Sequence, residues 1–84
     1  MTKFEFLSEG LVGIANKYGC KPNFEGAEDE IVSIFGKYNK DMHKEVLALC
    51  SEVGIERKKV FACDDGIDIM LDGWLGTKGK HEYK

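Results

Sequence analysis

The chain has 84 residues, of which 43% are hydrophobic and 32% are charged, and its formal net charge is −3. This length leaves room for one hydrophobic core, so we expect a single domain. This net charge is too small to be a strong electrostatic signal in either direction, so it suggests neither a general DNA-binding protein nor an acidic mimic of DNA. A single proline argues against a long disordered segment.

The three cysteines, Cys20, Cys50 and Cys63, contain no C-x-x-C pair. An odd number of thiols favours a reducing, cytoplasmic compartment over a secreted disulfide framework. The first residues lack the apolar stretch of a secretion signal, and no apolar run approaches the ~18 residues of a membrane span. We therefore expect a cytoplasmic protein that does not insert into a membrane.

Thr2 and Glu5 have the spacing of a capping box, which predicts that a helix begins directly after Thr2. Apolar residues then recur at helical spacing as far as Tyr18. Gly19 supplies the left-handed conformation that ends many helices. The first predicted helix therefore spans about residues 3–18.

Two further helices are predicted after a loop over residues 20–26, which contains Pro, Asn and Gly. The second helix is indicated by an apolar face made of Ile31, Ile34, Phe35 and Tyr38. The third has Asp41 as its predicted cap and Gly54 as its end. Its apolar face consists of Met42, Val46, Leu49, Cys50 and Val53. The second and third helices can also be read as one kinked unit.

From Val60 onward the apolar period changes to two, which predicts β-strands. The pair Asp65 and Gly66 is a favoured two-residue hairpin loop. With this loop the flanking strands pair so that Ala62 lies opposite Ile69. The sequence therefore predicts an antiparallel hairpin.

A second Asp-Gly pair, at residues 72–73, precedes Trp74 and Leu75 and allows a third short strand. The polar residues 76–84 are predicted to form a flexible tail after a compact domain over residues 1–75. Two or three N-terminal helices followed by an antiparallel hairpin or a short three-stranded meander make an α+β fold.

The predicted hairpin is apolar on both faces, whereas a small sheet normally has one face in water. The second face must therefore be covered by the domain's own helices, by a second copy or by another protein. Phe6 falls off the apolar face of the first helix and adds to this candidate surface. The predicted partner-binding residues are Phe61, Cys63, Asp68, Met70, Leu75 and Phe6.

A nucleic-acid-binding module is the alternative interpretation. Arg57, Lys58 and Lys59 form a basic run at the edge of the hairpin, and Lys78 and Lys80 follow in the tail. Lysines at a sheet edge also discourage aggregation, so the same residues fit a solvated edge.

The sequence predicts neither an enzyme nor a metal or cofactor site. The aspartates near the turns do not follow the spacing of a calcium loop. His43 and Cys50 lie on one helix but roughly 10 Å apart along its axis, too far for a Cys-His pair. A thiol- or metal-dependent enzyme would need a cysteine to meet His43 or His81 in the fold.

In its length, its Lys- and Glu-rich composition and its lack of an enzymatic motif, the chain resembles the small accessory proteins of large-genome bacteriophages. Such proteins often bind and inhibit a host or viral protein. The resemblance therefore implies a small regulatory protein that acts by binding another protein in the host cytoplasm. An inhibitor of a bacterial defence system and an antagonist of a lysis protein both fit this class. The resemblance assigns no roles to individual residues.

Overall fold

A computed structural model describes all 84 residues as two helices and one four-stranded antiparallel sheet. The helices are α1 (Lys3–Lys17) and α2 (Lys40–Glu52). The strands are β1 (Lys21–Asn23), β2 (Ile31–Phe35), β3 (Val60–Cys63) and β4 (Gly66–Met70). The predicted α+β class is confirmed, with two helices and with four strands in place of two or three. Neither helix has the length and apolar character needed to cross a membrane.

The strands lie in the order β1-β2-β4-β3, so β2 and β4 form the centre of the sheet. On one face of this central pair, Val32 lies opposite Ile69 and Ile34 lies opposite Ile67. All four side chains are at most 1% exposed and pack with side chains of both helices in one core. Burial of each side chain stabilises the folded state by roughly 1.5–3 kcal/mol. The pairing of β2 with β4 therefore holds the two halves of the chain together.

Each half of the chain is a helix followed by two strands, a repeat that the sequence does not reveal. Ser33 and Asp68, which are 35 residues apart, lie opposite each other at the middle of the central pair. The same offset of 35 residues relates the buried residues of the two helices, which are Leu7, Leu11 and Ala15 in α1 and Met42, Val46 and Cys50 in α2. The halves are therefore related by an approximate two-fold axis through the centre of the sheet.

The ends of the helices repeat the same geometry. Gly19 after α1 and Gly54 after α2 have φ values of 70° and 83°. The amide of Cys20 donates to the carbonyl of Ala15, and the amide of Ile55 donates to that of Cys50, both at 2.8 Å. Because both helices end in this way, the chain leaves each one toward the sheet in the same direction.

The predicted second helix is wrong, because Ile31–Phe35 forms strand β2. The run is short and rich in β-branched residues, and five residues cannot separate helical spacing from strand alternation. Glu30 before it is left-handed at φ 63°, and Gly36 after it has φ 151°, so a helix cannot pass through either end. The alternative prediction, in which the second and third helices form one kinked unit, is wrong for the same reason.

The start of the predicted third helix also needs correction. Its N-cap is Asn39 and not Asp41, because the Asn39 side-chain oxygen accepts from the amides of Asp41 and Met42 at 2.8 and 3.1 Å. Asn39 has the extended backbone that a cap requires, with φ −138° and ψ 126°. The capping box that starts α1, between Thr2 and Glu5, is confirmed.

Two segments outside the helices also differ from expectation. The predicted loop over residues 20–26 contains the edge strand β1, in which Pro22 is tolerated because an edge strand leaves amide positions unpaired. The third strand predicted at Trp74 and Leu75 does not form, since residues 72–77 make turns. Trp74 is buried there and its indole N–H donates to the carbonyl of Val53 at 2.9 Å, which anchors the turns to the end of α2.

The β3–β4 hairpin is confirmed, but its loop is Asp64 and Asp65, so that Ala62 lies opposite Ile67. Gly66 belongs to the strand and has φ 142°, and a Cβ atom there would lie 2.0 Å from the carbonyl oxygen of Ile34. Only glycine fits this approach to β2. The register moves by two residues, so every side chain keeps its predicted face.

Residues 76–84, for which the sequence predicts a flexible tail, lie against the N-terminus. The amide of Lys3 donates to the carbonyl of His81, and the amide of Tyr83 donates to that of Met1, both at 2.8 Å. The ring of Tyr83 stacks on Phe6 with ring centres 3.8 Å apart. These contacts hold the two chain ends together.

Replacing Gly66 by alanine should destabilise the domain by about 2–4 kcal/mol, because the new methyl group would overlap the β2 backbone at a disfavoured φ. Gly13→Ala is the matched control, since a Cβ atom at this helical position has nothing within 4 Å. This second change should stabilise the domain by about 0.5–1 kcal/mol. Urea denaturation measures the free energy of unfolding of both variants. Equal changes in this free energy would contradict the close approach of β2 to Gly66.

Candidate interaction surface

Helices cover only one face of the sheet. On the other face the residues Phe35 and Phe61 are 50% and 54% exposed, while the helix-side residues of the central strands are buried. We call this second face the open face. It consists of alternate residues of all four strands: Lys21, Asn23, Ile31, Ser33, Phe35, Phe61, Cys63, Gly66, Asp68 and Met70.

The open face carries four large apolar side chains. Phe35 lies on the inner strand β2 and Phe61 on the edge strand β3, roughly 12 Å apart across the sheet. Ile31 and Met70 lie opposite each other at the end of the central strand pair away from Phe35, and both are half-buried. Large aromatic and aliphatic side chains of this kind carry most of the binding energy at protein interfaces.

One acidic group lies in the middle of this apolar surface. Ser33 is 6% exposed, and its hydroxyl donates a hydrogen bond to Oδ1 of Asp68 at 2.7 Å. Phe61 lies opposite Asp68 on its other side. The second carboxylate oxygen of Asp68 accepts no hydrogen bond within the chain, so it is available to a donor from outside.

The structure places four of the six predicted partner-binding residues on the open face: Phe61, Cys63, Asp68 and Met70. Leu75 instead lies half-buried in the turns after β4 and packs on the core. Phe6 lies under Tyr83 near the chain termini. Sequence analysis missed Ile31 and Phe35, because it assigned their strand to a helix.

The basic residues of the alternative interpretation lie in two short 3₁₀ turns, Arg57–Lys59 and Lys78–Lys80. Carboxylates are interleaved with them, since Lys59 pairs with Asp72 and Lys58 lies 3.5 Å from Glu56. Both turns border a pocket of about 370 Å³ with Trp74 in its wall. The alternating charges give this pocket no net excess of positive groups.

Two of the three thiols are buried. Cys20 and Cys50 lie in the core, and burial raises the pKa of the Cys50 thiol to about 12. Cys63 is exposed on the open face near the hairpin turn. His43 contacts the hydroxyl of Tyr38 through Nδ1 at 2.9 Å. No group of three or more His, Cys, Asp or Glu side chains is arranged to hold a metal ion.

Comparison with known proteins adds nothing to this picture: no protein-family description, curated protein or solved structure matches the chain. The fold and its surfaces are therefore the basis for assigning a function. Among these surfaces, the open face combines exposed aromatic rings with an accessible carboxylate.

In the folded protein only Cys63 should react with a thiol reagent at pH 8. The reason is that Cys20 and Cys50 are buried and the pKa of Cys50 lies near 12. Mass spectrometry after iodoacetamide treatment should find one modified thiol in the native state and three after unfolding. A Cys63→Ser variant should have none in the native state. Rapid native modification of Cys50 would contradict the packing between α2 and the sheet.

Proposed function

We propose that this domain is a small regulatory protein that binds another protein through the open face of its sheet. The supporting observation is the pair of half-exposed rings, Phe35 and Phe61, on the face that no helix covers. Folded monomers seldom expose contiguous apolar surface, and large apolar patches commonly mark interaction sites. Aromatic side chains held on a rigid sheet lose little conformational entropy when a partner binds.

Asp68 suggests the chemistry of the partner. An arginine or lysine side chain that approaches the open face can bond to the free oxygen of Asp68 while it lies over the ring of Phe61. A charge-assisted hydrogen bond in an apolar surround is stronger than the same bond in water. The proposed partner therefore presents an apolar surface with a basic side chain near its centre.

A second copy stacked face to face fits the open face less well. A two-fold axis through the middle of the face would bring the two Asp68 carboxylates together in a dry interface. Burial of like charges without a compensating cation is costly. A different protein with a complementary cation is the better occupant.

The proposed mode of action is steric inhibition, in which the bound domain covers a working surface of its partner. The likeness in length and composition to bacteriophage accessory proteins supports a partner in the host cytoplasm. A protein of a bacterial defence system and a lysis protein are the two candidate targets.

Photo-cross-linking in cells that naturally express the protein tests this proposal. The photoreactive residue p-benzoylphenylalanine, placed at position 35 or at position 61, should cross-link to the same partner protein, because both rings belong to one surface. Mass spectrometry identifies the cross-linked protein. The control position is Val12, which is 38% exposed on α1 and lies away from the sheet.

The role of Asp68 is tested with the partner so identified. Asp68→Asn should weaken binding about 10-fold or more, since it removes one charged hydrogen bond of about 1.5–3 kcal/mol. The domain should stay folded, because an amide oxygen still accepts from Ser33. The proposal fails if positions 35, 61 and 12 cross-link to the same proteins, or if none of them cross-links.

A further inference from the structure

The two edges of the sheet are built differently. Strand β1 has Lys21 and Pro22, and lysine and proline are the residues that protect an exposed edge from pairing with another chain. Strand β3 reads Val-Phe-Ala-Cys over Val60–Cys63 and contains neither a charge nor a proline. Within the two edge strands, only β1 therefore contains residues of this kind.

Strand β3 is also exposed to solvent on both faces of the sheet. Phe61 and Cys63 are exposed on the open face, and Ala62 is exposed although it points to the helix side. No helix therefore covers this end of the sheet. Strand β3 pairs with β4 alone, so its outer row of amide and carbonyl groups has no partner within the chain.

Three charged side chains that flank β3 are unpaired in the single chain, whereas Lys59 pairs with Asp72. Arg57 precedes the strand and Asp64 and Asp65 follow it, and none of these three side chains takes part in an ion pair or a hydrogen bond within the chain. The neighbouring Lys58 makes only a long contact with Glu56 at the surface. These groups are free to meet charges on another molecule.

The charge pattern complements itself when two β3 strands run antiparallel. Two such strands are related by a two-fold axis perpendicular to the sheet, so one residue lies opposite its own copy. If Phe61 lies opposite itself, the basic turn Arg57–Lys59 before β3 of one chain lies beside the acidic hairpin loop, Asp64 and Asp65, after β3 of the other. The basic end of each strand therefore meets the acidic end of its partner.

The match depends on the register. If Val60 lies opposite itself instead, Glu56 of one chain approaches Asp64 of the other, which brings two acidic groups together. The charges therefore favour the register centred on Phe61. Parallel pairing of the same two strands would place like charges side by side instead.

We propose that β3 is a self-association edge, where a second copy of this chain pairs antiparallel and joins two four-stranded sheets into one of eight strands. The perpendicular axis keeps both open faces on the same side, with the two Phe61 rings near the junction. The proposed dimer therefore joins the two open faces into one larger surface. This inference is independent of the identity of any partner on the open face.

Charge reversal on either side of β3 tests the pairing. An acidic-edge variant carries Arg57→Glu and Lys58→Glu, and a basic-edge variant carries Asp64→Lys and Asp65→Lys. Each variant alone should be monomeric, because its two strands would then bring like charges together. An equimolar mixture should form a mixed dimer, because each acidic end then meets a basic end. Sedimentation equilibrium measures the masses.

The unmodified chain should show a weak dimer whose fraction rises with concentration, since only four residues of each strand pair. Hydrogen exchange supplies a readout that needs no variant: β3 amides should gain protection as the concentration rises, while β1 amides should not. A chain that stays monomeric up to ~1 mM, variants that still dimerise alone, or a mixture that stays monomeric would each overturn the proposal. An absence of any change in β3 exchange would do the same.

Discussion

Strands β2 and β4 come from different halves of the chain and pair over their whole length at the centre of the sheet. On one side of this pair, Val32, Ile34, Ile67 and Ile69 are almost fully buried, and they are the surface on which both helices rest. Gly66 lets the two strands approach closely where they meet the hairpin turn. Without this pairing neither helix-strand-strand unit has a face against which to bury its helix, because a two-stranded hairpin alone is marginally stable at best.

The same arrangement leaves one face of the sheet without cover. The chain has two helices, and the approximate two-fold axis places both on one side. The opposite side therefore faces outward with its own apolar residues, of which Phe35 and Phe61 are the most exposed. The buried Ser33 and its bond to Asp68 lie where the axis crosses this face. The proposed functions, binding at the face and self-pairing at the β3 edge, both arise from groups that the fold leaves unsatisfied.

Local patterns predicted much of this fold. The capping box at Thr2 and Glu5 identified the start of α1, and the period of two after Val60 identified the hairpin and the face that carries Phe61 and Asp68. Strand β2 was not predicted, because Ile31 and Phe35 on the open face are as apolar as Val32 and Ile34 in the core. A strand that is apolar on both sides lacks the alternation by which strands are recognised. Its pairing with β4 is a contact distant in sequence, so no local signal indicates it, and half of the open face was missed with it.

The central claim is that the open face is surface and not core. The most direct test is the free energy of unfolding, by urea denaturation, of a variant that combines Phe35→Lys and Phe61→Lys. Because both rings are half-exposed, we expect a folded domain whose stability changes by about 1 kcal/mol or less. Ile67→Ala is the reference for a true core position and should lose roughly 2–5 kcal/mol. A double variant that is unfolded, or that loses as much stability as Ile67→Ala, would contradict the account.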